Sequence, residues 1–308
     1  MRLLITAILL CSLPFLGFAQ VKTTSKKSVT QLVQAPNSVL WEISGNGLEK
    51  PSYLFGTMHI LCAQDALLSD SLQFSIDRAS QVYFEVDMDN MAELMGLFKY
   101  IKMKDNKTLS DLITPAEYDR VKKYFAENRS ILPLSMMERF KPYFIASILS
   151  ESKMPCETKN GMEEVIMQEV KKQQKEINGL ESIAFQASIF DSIPYEQQAQ
   201  ELLRTIDSAG VEDSMTQKML DVYRSQNLAE IEKLTLQEEG GVAAYLDLFL
   251  YGRNAKWIPL IETAMKKGST LFAVGAAHLP GGKGVIQLLQ NAGYRLRPMK
   301  HSVNQRMM

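Results

Sequence analysis

Apolar and polar residues alternate clearly from residue 39 onwards. Residues 39–43 alternate as a β-strand does, the Gly-Asn-Gly at 45–47 supplies a turn, and residues 52–55 form a second short apolar strand. The second strand runs directly into Gly-Thr-Met-His at 56–59. The pattern therefore predicts a β-hairpin that ends at a histidine.

The next part of the chain changes from strands to helices. Residues 69–79 have helical spacing, and residues 81–86 are typical of a buried strand whose one acid is Glu85. From 91 to about 237 apolar residues recur at three and four spacing, which predicts a long helical section. Within it, residues 176–181 favour a short strand, so we expect the chain to return once to the sheet.

The C-terminal part again mixes strand and helix. We predict a helix over 257–267 stopped by Gly268, a strand over 270–274, a helix over 284–292 and a strand over 294–298. This order is typical of a βαβ unit. The sequence therefore predicts a mixed α/β fold with a central sheet and a large helical middle section.

The N-terminus differs from the rest of the chain. Arg2 precedes an apolar run at 3–16 and the small-x-small triplet Gly-Phe-Ala at 17–19, which is the pattern of a cleaved signal peptide over 1–19. The apolar run is shorter than the roughly 20 residues of a membrane span. We expect an exported protein, periplasmic or extracellular, with no integral span in the mature chain.

The predicted domain organisation follows from these segments. Residues 20–37 are polar and lack an apolar period, as in a solvated tether. Residues 38–300 form one α/β domain with its helical section at about 90–240, and residues 301–308 form a tail.

Composition limits the range of partners. The chain has 308 residues, 46% of them hydrophobic, which is enough for a substantial core. Its 34 basic and 35 acidic side chains leave a net charge of -1, so no overall field attracts nucleic acid or anionic lipid. We therefore predict no nucleic-acid partner.

Export changes the interpretation of the cysteines. Once Cys11 is removed with the signal peptide, Cys62 and Cys156 remain as an even pair in a compartment that tolerates disulfides. A disulfide between them is favoured over two buried thiols. Cys62, three residues after His59, is alternatively a soft metal ligand.

Two of the three histidines occur in the same local context. His59 and His278 each come after an apolar strand and are the last residue of a Gly-x-x-His motif, whereas His301 lies in the polar C-terminal segment. Ligands in α/β proteins bind beyond the carboxyl ends of strands. The glycine permits a tight turn that projects the imidazole out of the sheet. The alternative is that both are strand-end histidines of the core.

Glu85 would complete a reactive set with His59 and His278. Two imidazoles and a carboxylate are a common ligand set for a divalent ion that keeps an activated water. The same side chains also suit metal-free catalysis, in which a histidine is the general base and a carboxylate orients it. Glu85 alone could instead cap the helix that follows its strand.

These residues resemble the TraB/GumN family, which includes the Tiki extracellular metalloproteases and is related to erythromycin-esterase and ChaN-like proteins. The resemblance covers residues 40–298, and the two Gly-x-x-His elements in their flanking context are its specific part. It rests on the segment 53–59, the strand 82–86, the segment 272–281 with Gly284 and Val285, and weaker markers at 141–142, 161–163, 179–181 with Gln186, and 253–254 with Trp257. At 163 this chain has Glu where the family usually has Asp.

The resemblance implies a sheet built from two similar halves whose histidines converge on one site. It also implies a divalent metal of the Mn or Co type and peptide hydrolysis. In that frame Arg253 is a candidate to stabilise a developing oxyanion. Glu163 and Glu181 are candidates for a general base or for outer partners of the imidazoles. The alternatives are that Arg253 and Asn254 only cap the helix that follows and that Glu181 only ends its strand.

Three functions remain open from the sequence. The first is a metal-dependent hydrolase directed at peptides, and the second is a metal-free esterase or lactonase with a histidine base. The third is an envelope protein that binds a peptide, haem or metal without turnover. Substrate and oligomeric state are not predicted.

Overall fold

The computed structural model describes residues 37–128, 132–152, 154–208, 212–237 and 245–302. The predicted signal peptide and nearly all of the predicted tether lie outside these residues, as do residues 303–308 of the predicted tail. None of the described helices is both long and apolar enough to span a bilayer.

The described residues form eight strands and twelve α-helices, which confirms the mixed α/β class. The strands are β1 (Leu40–Gly45), β2 (Ser52–Thr57), β3 (Leu61–Cys62), β4 (Gln81–Val86), β5 (Lys159–Asn160), β6 (Glu176–Glu181), β7 (Thr270–Gly275) and β8 (Tyr294–Pro298). The helices are α1 (Asp70–Arg78), α2 (Met91–Tyr100), α3 (Pro115–Glu127), α4 (Leu134–Met137), α5 (Pro142–Ser152), α6 (Met162–Lys172), α7 (Ile183–Ile189), α8 (Tyr195–Asp207), α9 (Glu212–Arg224), α10 (Leu228–Leu236), α11 (Gly252–Lys267) and α12 (Val285–Asn291).

Six strands form one sheet in the order β6-β4-β7-β2-β1-β8. The pairs β6–β4, β4–β7 and β7–β2 are parallel, and β1 is antiparallel to both β2 and β8. Thus the strand before His59 and the strand before His278 are direct parallel neighbours, with Thr57 opposite Gly275.

Alternation along the strands separates two apolar layers. Phe55 and Ala273 belong to a core that includes residues of α1 and α6 on one face of the sheet. Leu54 and Phe272 belong to a core that includes residues of α11 and α12 on the opposite face. A third core, which includes Val86 at the end of β4, fills the helical section. The helical section therefore adjoins the edge of the sheet at which β4 ends.

A short antiparallel ladder links two distant parts of the chain. β3 pairs with β5, and Cys62 forms a disulfide with Cys156 across a Cα–Cα distance of 5.7 Å. The predicted disulfide is confirmed, and the alternative that Cys62 is a metal ligand is wrong because its sulfur is bonded to Cys156.

The C-terminal prediction needs two corrections. The helix predicted over 257–267 begins at Gly252, directly after a π-helical turn, Asp247–Tyr251. The first turn contains the buried polar residues Arg253 and Asn254, so the apolar spacing that predicts a helix is absent there. The strands β7 and β8 run in the same direction, as predicted for a βαβ unit, but β2 and β1 lie between them in the sheet.

Candidate functional site

Four parallel strands end at one edge of the sheet. In the register of the sheet Val86 of β4 pairs with Glu181 of β6, and Thr57 of β2 pairs with Gly275 of β7. Because parallel strands point the same way, the residues at their carboxyl ends meet at this edge. All six predicted site residues lie there or on helices packed against it.

His59 lies two residues beyond β2 and is almost fully buried. Its Nδ1 is 2.5 Å from Oε1 of Glu163, in the first turn of α6. The backbone N–H of Met162 donates to the carbonyl of Met58 (3.1 Å). A Cβ on Gly161 would lie 2.5 Å from the carbonyl oxygen of His59, so only glycine allows this approach. The segments that carry His59 and Glu163 are thus joined by a backbone hydrogen bond between neighbouring residues as well as by the side-chain contact.

His278 ends the 3₁₀ turn Ala276–His278 after β7 and is 1% exposed. Its Nδ1 is 2.6 Å from Oδ1 of Asn254. Its ring lies against the Trp257 indole with 4.5 Å between centroids. These contacts fix both the position and the plane of the imidazole.

Glu85 contacts both β7, the strand that precedes His278, and the charged residues of the site. Its Oε1 accepts the backbone N–H of Gly275 at 2.8 Å and lies 3.6 Å from Nε2 of His278. Its Oε2 accepts from Nη2 of Arg253 at 2.5 Å and from Nε2 of Gln186 at 3.0 Å. The helix after β4 is capped by Asn90, so Glu85 is not its cap.

Arg253 and Glu181 form the outer part of the site. Nε of Arg253 donates to Oε1 of Glu181 at 2.8 Å, and Nη2 donates to the same oxygen. Nη1 donates to the carbonyl of Phe249, in the π-helical turn, at 2.8 Å. The Trp257 indole N–H donates to Oε2 of Glu181 at 3.1 Å. Arg253 therefore lies inside α11 and forms buried ion pairs with Glu85 and Glu181. The alternative that it only caps the helix does not account for these contacts.

The three predicted metal ligands lie around Gly275. A methyl group on Gly275 would lie 3.1 Å from Oε1 of Glu85 and 3.6 Å from Nε2 of His59. The same point is 3.5 Å from Cδ2 of the His278 ring. The second Gly-x-x-His glycine thus leaves room where the three side chains approach one another.

The buried charges shift the pKa values of the site in different directions. Burial opposes ionisation of Glu85, but Arg253, the two imidazoles and the Gly275 N–H together hold its pKa well below its ordinary value. Burial lowers the pKa of His278 to about 3. For His59, burial acts in the same direction, but the Glu163 carboxylate beside it outweighs this and raises the pKa. The two imidazoles therefore differ in how readily they accept a proton.

The charge of the site suits a cation. Two buried carboxyl groups, on Glu85 and Glu181, contact the buried guanidinium of Arg253, and a third, on Glu163, contacts His59. Excess negative charge away from water is costly unless a cation compensates it. Among the described residues, no three His, Cys, Asp or Glu side chains are grouped closely enough to form a metal site. The chemistry of His59, Glu85 and His278 nevertheless matches the donors that a divalent transition metal takes.

Other residues of the site were not assigned these roles from the sequence. Gln186 donates to both Glu85 and Glu181, at 3.0 and 2.8 Å. The Tyr223 hydroxyl donates to the carbonyl of Gly56 at 2.9 Å. Asn254 holds His278. Gln186 and Asn254 were visible only as weak markers, and no sequence signal pointed to Tyr223.

The fold and the two histidine elements define an α/β protein with a polar, charged site at the carboxyl edge of its sheet. A family model for the TraB/PrgY/gumN family matches residues 39–298. The chain belongs to this family, which confirms the resemblance seen in its motifs.

Similarity to curated proteins extends across most of the chain. It is 22% identical over 313 residues to metalloprotease TIKI1 of Danio rerio, covering 84% of this chain and 63% of that protein. It is 21% identical over 316 residues to metalloprotease TIKI2 of Danio rerio, with 84% and 60% covered. For metalloprotease TIKI1 of Homo sapiens the values are 22% over 317 residues, with 84% and 61% covered. The chain thus spans about three fifths of the length of these relatives. No solved structure matches it significantly.

Proposed function

We propose that this protein is a metal-dependent hydrolase that cleaves peptide bonds, with one divalent ion held by His59, Glu85 and His278. The observation that carries the proposal is the placement of these three side chains around Gly275. The surplus of buried carboxyl groups over guanidinium supports a cation there.

Each ligand is prepared by a second residue. Glu163 accepts from Nδ1 of His59, which leaves Nε2 of that ring for the ion. Among the described residues, Nε2 of His59 forms no hydrogen bond. Arg253 and the Gly275 N–H hold Glu85 ionised. When bound, a divalent ion would supply Lewis acidity and an activated water.

The remaining charged residues take supporting roles in this proposal. Glu163 is a positioning residue because its carboxylate contacts His59 directly. Glu181 holds Arg253 and the Trp257 indole N–H. Nη1 of Arg253 is 3.3 Å from Nε2 of His278. If His278 binds the ion instead, this N–H becomes available to an oxyanion at the reacting carbonyl.

Peptide bonds are the proposed substrate of this site. This choice is supported by family membership and by the relatives named metalloproteases. The proposed ion is Mn²⁺ or Co²⁺, because the resemblance to Tiki proteins implies a metal of this type. Export through the predicted signal peptide over 1–19 stays a prediction and would place the activity in the periplasm or outside the cell.

A hydrolysis assay with defined metal content tests the proposal. Purified protein is stripped with a chelator, reloaded with Mn²⁺, Co²⁺ or Zn²⁺, and incubated with quenched fluorescent peptide mixtures. We expect cleavage only after reloading. His59→Ala and His278→Ala should each abolish it, and His301→Ala, which alters a histidine bonded to Ser69 outside the site, should retain it.

Two results would overturn the assignment. Full hydrolysis of peptides, esters or lactones by the stripped protein would indicate metal-free histidine catalysis. Stoichiometric metal with no hydrolysis of any substrate would indicate a binding protein.

A further inference from the structure

Asn254 is placed to determine which nitrogen of His278 carries a hydrogen. It lies in the first turn of α11 and is 1% exposed. Its Nδ2 donates to the carbonyl oxygen of Lys283 at 2.9 Å and, more weakly, to that of His278 at 3.3 Å. Its Oδ1 lies 2.6 Å from Nδ1 of His278.

The partners of the amide fix its orientation. Both Nδ2 hydrogens point at carbonyl oxygens, which can only accept. A flipped amide would place Oδ1 of Asn254 against these two acceptors and leave three oxygens without a donor. Since Oδ1 therefore faces His278 and can only accept, Nδ1 of His278 must carry the hydrogen.

The opposite side of the ring leads to the same assignment. Nε2 of His278 faces Nη1 of Arg253, a donor, at 3.3 Å. Oε1 of Glu85 also faces Nε2, but at 3.6 Å it is beyond hydrogen-bond distance, so Arg253 is the hydrogen-bond partner of Nε2. A hydrogen on Nε2 would point at the Arg253 N–H, which can only donate. The Trp257 indole, 4.5 Å away between centroids, also restricts reorientation of the imidazole. The partners of both ring nitrogens thus favour a hydrogen on Nδ1 and a lone pair on Nε2.

We propose that Asn254 is a positioning residue that holds His278 as the Nδ1–H tautomer and presents its Nε2 lone pair to the centre of the site. Glu163 does the same for His59 with a charged oxygen in place of a neutral one. The consequence for metal binding rests on the proposed function, but the tautomer itself does not.

Nitrogen NMR of the metal-free protein tests the tautomer directly. Long-range ¹⁵N–¹H spectra of histidine-labelled full-length protein distinguish a protonated from an unprotonated ring nitrogen. His59→Gln and His301→Gln identify the His278 signals by elimination. We expect a protonated Nδ1 and an unprotonated Nε2 on His278. A hydrogen on Nε2 would overturn the proposal.

Two substitutions test whether the accepting oxygen of Asn254 determines the tautomer of His278. Asn254→Asp loses both N–H donors but keeps the oxygen that faces Nδ1, and it should preserve the tautomer. Asn254→Ala removes this acceptor and should give a mixture of tautomers. Mn²⁺ affinity, measured by calorimetry, should fall about 10- to 100-fold in Asn254→Ala. The matched control is Asn291→Ala, which removes an exposed asparagine bonded to Gln287 and should not change the affinity.

The outcomes separate the two proposals. A folded Asn254→Ala variant with the wild-type tautomer would overturn the role of Asn254. If that variant does not fold, the wild-type spectrum and Asn254→Asp decide the question. If wild type shows the expected tautomer but binds no metal, the positioning role stands and the proposed metal-dependent function fails.

Discussion

Nδ1 of His59 lies 2.5 Å from Oε1 of Glu163, although 104 residues separate them in the chain. The ladder of β3 with β5 and the close approach of Gly161 to the His59 carbonyl bring the two segments together. A carboxylate on the far nitrogen of an imidazole is the usual partner of a metal-binding histidine. This contact therefore links the first Gly-x-x-His element to the helix α6.

Glu163→Gln should weaken metal binding about 10- to 100-fold, because a neutral amide orients His59 less strongly. Glu163→Asp keeps the charge but shortens the side chain and should cost less. Titration calorimetry with Mn²⁺ measures both. Glu164→Gln, at the neighbouring position on α6, is the control. Equal affinities for Glu163→Gln and Glu164→Gln would contradict the role of the pair.

The disulfide should stabilise the fold and the His59 segment together. It closes a loop across a separation of 94 residues. Its removal in a Cys62→Ser/Cys156→Ser variant should lower the free energy of unfolding by roughly 4.6 kcal/mol on the chain-entropy model. Urea denaturation with and without reductant measures this. Reductant should destabilise wild type and leave the double variant unchanged; insensitivity of the wild type would be the contrary result.

Arg253→Met should destabilise the protein by about 3–5 kcal/mol, because it leaves buried carboxylates without their cation. Adding Glu181→Gln should recover part of the loss, since one of the orphaned charges is then removed. Arg224→Met breaks a more exposed pair with Asp65 and should cost about 1 kcal/mol or less. Urea denaturation compares these three variants and Glu181→Gln alone. Additive losses in the double variant would argue against coupling.

The ion pair between the buried Lys141 and the partly buried Asp191 should give a measurable pH dependence of stability. Burial raises the pKa of Asp191, but hydrogen bonds from Lys141, Tyr195 and Lys104 outweigh this and lower it overall. A lowered folded-state pKa stabilises the native protein above the unfolded pKa, about 4, and this gain disappears as pH falls through the folded value.

Asp191→Asn should therefore cost about 3 kcal/mol at pH 7, because Lys141 is left buried beside a neutral group, and less at pH 3. Urea denaturation at pH 7, 5 and 3 measures the difference from wild type. Asp207→Asn, which alters an exposed pair with Arg120, should cost little at any pH. A loss at Asp191 that does not change with pH would show that its charge is not involved.

The strands and the two histidine elements could be predicted because their signals are local. A short apolar run, a glycine and a histidine are adjacent in sequence, and neighbouring parallel strands then bring His59 and His278 to one edge. The disulfide could be favoured because removal of the predicted signal peptide leaves two cysteines in a compartment that tolerates disulfides. Glu85 was recognisable because it interrupts an apolar strand.

The supporting contacts could not be predicted because they depend on tertiary packing. Asn254 reaches His278 only because α11 begins at Gly252, after a π-helical turn, and the polar first turn of that helix carries no apolar period. Gln186 reaches Glu85 across 101 residues of chain. The ladder of β3 with β5 involves two residues in each strand, which is too short for any periodic signal.

The central claim is that both Gly-x-x-His elements hold one metal ion. Anomalous X-ray diffraction from crystals of the full chain, soaked with Mn²⁺ and measured at the manganese edge, tests it most directly. The account predicts one strong peak bonded to Nε2 of His59, Nε2 of His278 and a carboxylate oxygen of Glu85. No peak between the two histidines at saturating Mn²⁺, or a peak bonded to neither, would contradict it.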